Sequence, residues 1–283
     1  MSTTDIASGA SSGYKPSFAK RSQLWLGNHF VMFAAILVLL YLFLPVAYTF
    51  VFSFNDHGKT NIVWRGFTWK HWQDPCRVPG ACDSLVVSLE VAVIATVVSA
   101  IIGTLMALAL VRYQFRGKAA SNMLIFVPMA TPEIVMGTSL FTLFFNFGIE
   151  RGFWTIVIAH TMFCLSFVAL TVKARTRGMD WSLEDAAQDL GSSPIRTFWR
   201  VTLPGIMPGV AGAFLLSVAL SIDDYIITSF VAGPTITFPR RVFDSARIAL
   251  PPQVHVLAAI IMLVAITIIV ISSTRRSKNS VEA

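Results

Sequence analysis

Four carboxylates interrupt otherwise apolar runs in this 283-residue chain: Glu90, Glu133, Asp223 and Asp224. A charge at a bilayer centre costs about 2.5–3.5 kcal/mol on insertion scales, so it faces a cavity or a partner rather than lipid. The densest group is Ser221, Asp223, Asp224 and Tyr225. Carboxylates beside aromatic faces are natural partners of an ammonium group. Neighbouring residues on a helix point about 100° apart, so Asp223 and Asp224 cannot line one path equally. One is expected to face the path, and the other to pair or accept a hydrogen bond. The competing reading makes both structural, paired with Arg240 or Arg241 or bonded to backbone amides. Glu133 follows Pro132, where a broken helix frees carbonyls and amides. A path-lining role and a structural one both stay open for it. Glu90 reads as a contact between helices and is assigned no function.

Other chemistries lack their patterns. Gly58-Lys59-Thr60 looks like the end of a phosphate-binding loop, but position 53, where that loop needs glycine, is Ser. Neither His-Glu-x-x-His nor Gly-x-Ser-x-Gly occurs. Catalysis by this chain alone is not expected, nor is an ATP site, a cofactor or a metal site. Of three cysteines, Cys164 lies in an apolar run and reads as a small core residue. Cys76 and Cys82 share a polar loop. A disulfide is permitted if that loop is extracytoplasmic, and two free thiols are the alternative. No Cys-x-x-Cys spacing suggests zinc.

These residues must be held by membrane helices. Hydrophobic residues make up 55% of the chain and charged residues 13%, against about 25% charged in soluble domains. Most of the outer surface should therefore meet lipid. The net charge of +7 does not point to nucleic acid, because no long basic stripe lies outside the apolar runs. Six runs reach the roughly 20 residues needed to cross a bilayer: 30–54, 84–111, 121–147, 153–172, 205–232 and 253–273. The expected fold is all-α, a polytopic domain of six transmembrane helices over 30–275. Residues 1–29 and 276–283 read as cytoplasmic tails, the first disordered. With the N-terminus inside, fourteen Lys and Arg fall on inner segments and eight on outer ones. That bias places both termini in the cytoplasm. In the outer loop 55–83, Trp64, Trp69 and Trp72 are expected to anchor at the membrane interface.

The longest inner connection, 173–204, reads as two short helices and a tight turn. Ser182 and Asp185 form a capping-box pattern. Leu183, Ala186, Ala187 and Leu190 give one apolar face. Gly191 suits the left-handed residue that ends a helix. Ser193 and Pro194 suit the start of a second helix, and Leu203-Pro204 ends it and opens the fifth run. The Ala-Ala pair lets a partner surface approach. Packing on the chain's own bundle is the alternative.

Here a resemblance enters. Asp185-Ala186-Ala187, three residues, Gly191, nine residues, Val201-x-Leu203-Pro204 is similar to the EAA loop of binding-protein-dependent ABC importer permeases. Asp185 stands for Glu and Val201 for Ile. The resemblance implies that Asp185, Ala186, Ala187 and Gly191 dock in a groove of a cytoplasmic ATPase, and that Leu203 and Pro204 set the angle into the fifth span. It implies the type I ABC importer permease fold and a bacterial inner-membrane location. The implied partners are a second permease subunit, two ATPase subunits, an extracytoplasmic binding protein and membrane lipid. Pro132-Glu133-Ile134-Val135, Gly148 to Trp154, Ser221-Ile222-Asp223-Asp224-Tyr225, Ser229-Phe230-Val231-x-Gly233-Pro234 and Phe238-Pro239 further resemble spermidine/putrescine permeases. The segment around Cys76 and Cys82 has no match in that pattern. The resemblance implies a polyamine cargo and a substrate path through Ser221, Asp223, Asp224, Tyr225 and Glu133. A permease for another amine, an amino acid or an anion is the nearer alternative, and a secondary transporter needing no ATPase the more distant one.

Overall fold

Helix-forming apolar runs fold as helices throughout the computed structural model, which describes residues 18–56, 61–248 and 250–279. Residues 1–17, most of the expected first tail, lie outside the described residues, as do Gly58-Lys59-Thr60 and 280–283. The helices are α1 (Phe18–Phe52), α2 (Lys70–Gln73), α3 (Ala81–Arg112), α4 (Lys118–Ala130), α5 (Glu133–Asn146) and α6 (Phe153–Arg177). After them come α7 (Ser182–Asp189), α8 (Pro194–Thr197), a π-helical turn (Phe198–Thr202), α9 (Leu203–Asp223), α10 (Ile226–Val231), α11 (Phe238–Ile248) and α12 (Pro252–Asn279). Helix α1 already begins at Phe18, ahead of the apolar run at 30.

Among the described residues, four stretches are single helices long and apolar enough to cross a membrane: Phe30–Phe52, α3, α6 and the continuous Pro194–Asp223. The third expected run is not one straight helix, because α4 and α5 meet at 106°. Pro132 has no N–H to continue α4, and Thr131 before it is extended. In α12, Pro252–Thr267 is apolar but shorter. Six crossings are reached only if the bent pair and α12 each cross. The fifth expected run, 205–232, also divides: α9 stops at Asp223 and α10 follows as a separate helix.

The centre is a bundle of α3, α6 and α9. Its contacts are built on small residues. Ala95, Ala107, Ala159, Ala169 and Ala213 are fully buried. A Cβ on Gly103 would lie 2.8 Å from a Val168 methyl. Small side chains let membrane helices approach where no hydrophobic force separates them from lipid. Ser99 Oγ donates to Thr161 O at 3.0 Å across α3 and α6. Helix α1 runs along the outside, meeting α12.

The loop before α3 is tied down at several points. Cys76 and Cys82 form a disulfide. Asn61 bonds Phe52 O at 2.7 Å and His255 Nδ1 at 3.3 Å. Gln253 Nε2 lies 3.2 Å from His71 Nδ1. Trp72 stacks on Phe54 and donates to Ser53 Oγ, while Trp64 and Trp69 stay exposed. Cys164 is buried in α6.

Candidate functional site

A cavity of about 350 Å³ lies where α9 breaks, lined by Glu133, Phe163, Leu220, Asp223, Asp224, Tyr225 and Ile226. The bend at Pro132 delivers Glu133 at the first turn of α5. Helix α6 supplies Phe163 and the end of α9 supplies Asp223. Both Glu133 and Asp223 are exposed to the cavity side of the isolated chain. Among the described residues, neither carboxylate has a hydrogen-bond or ion-pair partner. Tyr225 packs against Phe243 of α11, ring centroids 4.3 Å apart.

Asp224 is placed differently from its neighbour. It leaves the helix with extended geometry at ψ 115°, and its side chain is 5% exposed. Oδ1 accepts the Ile227 N–H at 3.3 Å, and Oδ2 accepts the Thr228 N–H at 2.8 Å and hydroxyl at 2.7 Å. Asp224 thus caps α10, and this local bonding competes with continuation of α9. His160 of α6 completes the arrangement. Its Nε2 lies 3.2 Å from Asp224 Oδ2 and 2.9 Å from Thr228 Oγ1, and its Nδ1 lies 2.7 Å from Ser221 Oγ. With the proton on Nε2, His160 donates to Asp224 and Thr228 and accepts from Ser221, which fits each partner's capacity. Ser221 is therefore buried behind the cavity and does not line it. Arg240 donates to Gly233 and Thr235 carbonyls, and Arg241 to the Pro79 carbonyl, so neither pairs with an aspartate. Sequence reasoning passed over His160 and Thr228. A single histidine inside an apolar run was the available signal, since such a group needs a polar partner.

The loop 173–204 forms the second arrangement. Gly191 is left-handed at φ +82° and turns the chain from α7 to α8. Ser193 Oγ accepts the Arg196 N–H, and Pro194 occupies the first turn. Ser182 does not cap α7; the helix starts earlier because Asp180 Oδ1 accepts the Ser182 N–H at 3.0 Å. The Ser182 side chain, with its N–H adding to it, holds the Asp180 carboxyl below its ordinary pKa. Leu203-Pro204 does not end the second helix either. Leu203 N–H donates to Phe198 O, five residues back. This π turn absorbs the missing N–H of Pro204, and the helix runs on into α9.

Asp185, Ala186 and Gly191 face outward, and Ala187 is half-buried. Around them stand large apolar side chains in the open: Leu190 is 89% exposed, Ile195 75% and Trp199 62%. A groove of about 370 Å³ runs beside them, lined by residues that include Tyr113, Glu184, Ile195 and Trp199. The acid that turns inward is Glu184, not Asp185. Glu184 pairs with Arg112 at 2.6 Å and accepts the Thr202 hydroxyl. Leu203 packs on the core while Pro204 is exposed.

An apolar bundle, a polar cavity at a helix break and an exposed hinge at 182–204 define a transport subunit of the membrane. The family model of binding-protein-dependent transport system inner membrane components matches residues 99–282. The chain belongs to that family, as an inner-membrane permease subunit. More narrowly, it is 34% identical over 260 residues to the spermidine/putrescine transport system permease protein PotC of Haemophilus influenzae, spanning 92% of this chain and 99% of that one. It is 37% identical over 233 residues to PotC of Escherichia coli, 82% and 88% of the two chains. It is 36% identical over 230 residues to the putrescine transport system permease protein PotI of Escherichia coli, 78% and 82%. Among solved structures, a chain of a bacterial ABC transporter that imports the acidic polysaccharide alginate superposes with a TM-score of 0.66. It is 18% identical and covers 93% of this chain and 99% of that one. An inward-facing MetNI methionine ABC transporter chain gives a TM-score of 0.57 at 14% identity, covering 70% and 95%. At these identities the structures share the fold alone.

Proposed function

We propose that this permease carries a polyamine, putrescine or spermidine, across the inner membrane, driven by a separate ATPase seated on residues 182–204. One observation carries the reading: Glu133 and Asp223, both unpaired, share a cavity with Phe163 and Tyr225. Two carboxylates and two aromatic faces suit a chain of ammonium groups. The names of the similar permeases support the same cargo. Asp223 and Glu133 are the path residues in this account. Asp224, Ser221 and His160 set the helix break that presents Asp223.

The remaining parts follow from that role. A second, similar permease encloses the path, since Glu133 and Asp223 lie open on the isolated chain. Two ATPase subunits take the outward face of α7 and α8, and an extracytoplasmic binding protein delivers the cargo. Both termini lie in the cytoplasm, and ATP is hydrolysed outside this chain. Closure of the ATPases moves the loops and switches the cavity between the two sides of the membrane.

Uptake of labelled putrescine and spermidine by cells carrying the whole importer tests the cargo. A charged hydrogen bond contributes about 1.5–3 kcal/mol. Asp223→Asn and Glu133→Gln are therefore each expected to cut uptake at low concentration about tenfold or more, with normal amounts of protein in the membrane. Unchanged uptake in both variants contradicts the cationic path.

A further inference from the structure

Glu184 is the buried carboxylate of the loop, 2% exposed. A charge is strongly disfavoured in such a place unless it is paired and hydrogen-bonded. Both conditions are met, and the partners are informative. Oε2 pairs with Arg112 Nη1 at 2.6 Å, and Arg112 is the last residue of α3. Oε1 accepts the hydroxyl of Thr202, in the π turn that leads into α9. The Arg112 guanidinium lies 5.7 Å from the ring centre of Trp181, the residue that precedes α7. One side chain on α7 therefore grips the ends of two of the three central helices.

Both helices lead to the cavity region. At 1.5 Å per residue, the 21 residues of α9 span about 30 Å. They start beside Thr202 and end at Asp223. Helix α3 packs along α6, which carries Phe163 and His160. The loop's two roots are also clamped, because Arg175 donates twice to Gly205 O at 3.1 and 3.2 Å. Glu184 ties α7 to the bundle by an ion pair and a hydrogen bond, while Asp185 and Ala186 beside it face outward.

We propose that Glu184 is a positioning residue for energy coupling, tying the ATPase-facing helix α7 to α3 and α9 so that its motion reaches the cation cavity. This rests on the ATPase docking under Proposed function. Arg112 is 41% exposed, so its guanidinium stays in contact with solvent when the Glu184 charge is removed, and apolar residues of similar volume often replace even a buried ion pair without loss of stability. The pair is thus assigned to transmission, and its loss is expected to show in coupling rather than in folding.

The test uses the whole importer in proteoliposomes, with its binding protein and putrescine, comparing putrescine moved with ATP hydrolysed. The double variant Arg112→Met, Glu184→Met removes both charges and leaves none buried alone. The single variant Glu184→Gln keeps the volume and removes the charge. In both, the ATPase subunits are expected to stay bound and hydrolysis to continue, while putrescine moved per ATP falls about five- to tenfold, the scale of a typical coupling energy. An intact complex with an unchanged ratio in both variants overturns this inference alone. An unmodified complex that holds no ATPase removes the docking reading, and this inference with it.

Discussion

Asp223 and Asp224 are adjacent, yet one carboxylate is open to the cavity and the other is buried against four donors, the His160 ring, the Thr228 hydroxyl and two backbone amides. Helical geometry alone shows that the two must differ. Which is which depends on His160, more than sixty positions earlier, and on the capping of α10, and neither is visible in local pattern. Glu184 is a similar case. The motif directs attention to Asp185, but burial and pairing fall on the acid before it, because Arg112 comes from a helix remote in sequence. A pH dependence belongs at this scale too. His71 in the loop before α3 is buried, and that burial, the largest cause, pushes its pKa below 6.5. Its Nδ1 accepts from Gln253, which requires the neutral ring. The folded-state pKa lies below the unfolded one, so the stability His71 gives is complete above pH 6.5 and declines as pH falls below it. Hydrogen exchange is expected to show the loop around 61–73 losing protection between pH 7 and pH 5. His71→Gln should flatten that change, and equal protection at both pH values in the native chain would contradict it.

Element existence was the most legible feature and element boundaries the least. Apolar runs mark α1, α3 and α6 by their length, and α1 runs on through Pro45. Pro132 signals a break, but neither the 106° bend nor the packing of α10 on α5 is visible in local pattern. At Gly137 a Cβ would lie 2.5 Å from the Phe230 ring, so glycine there permits this contact. Helices α10 and α11 went unread, since one is too short for periodicity and the other is amphipathic beside a longer apolar run. At Leu203-Pro204 the expected helix end fails, because a π turn accommodates the proline. Gly191 was legible from its place after α7, and its φ of +82° explains the requirement for glycine. A left-handed non-glycine residue costs about 1–2 kcal/mol. Gly191→Asp also adds a charge at the exposed tip. It is expected to release the ATPase and abolish coupled uptake while the chain still inserts. Normal transport by that variant would favour a carrier that needs no ATPase.

At the scale of the whole molecule, two polar sites share one apolar frame. The hinge at 182–204 leads into α9 and the cavity closes on that helix's far end, so a single helix relates them. The family could be read from the spacing around Asp185, Gly191 and Pro204, together with the six apolar runs. The arrangement of α3, α6 and α9 about one another could not, because every long run is apolar and the buried faces mix small residues with Val168, Val172 and Ile206. Helix α1 and the open sides of Glu133 and Asp223 leave room for further subunits, as the account requires. The most direct measurement isolates the complex through this subunit and follows its ATP hydrolysis with putrescine or spermidine and the binding protein added. The account predicts that an ATPase and a second permease accompany this chain, and that either amine raises hydrolysis severalfold. A chain that brings no ATPase, or an ATPase indifferent to both amines, would contradict it.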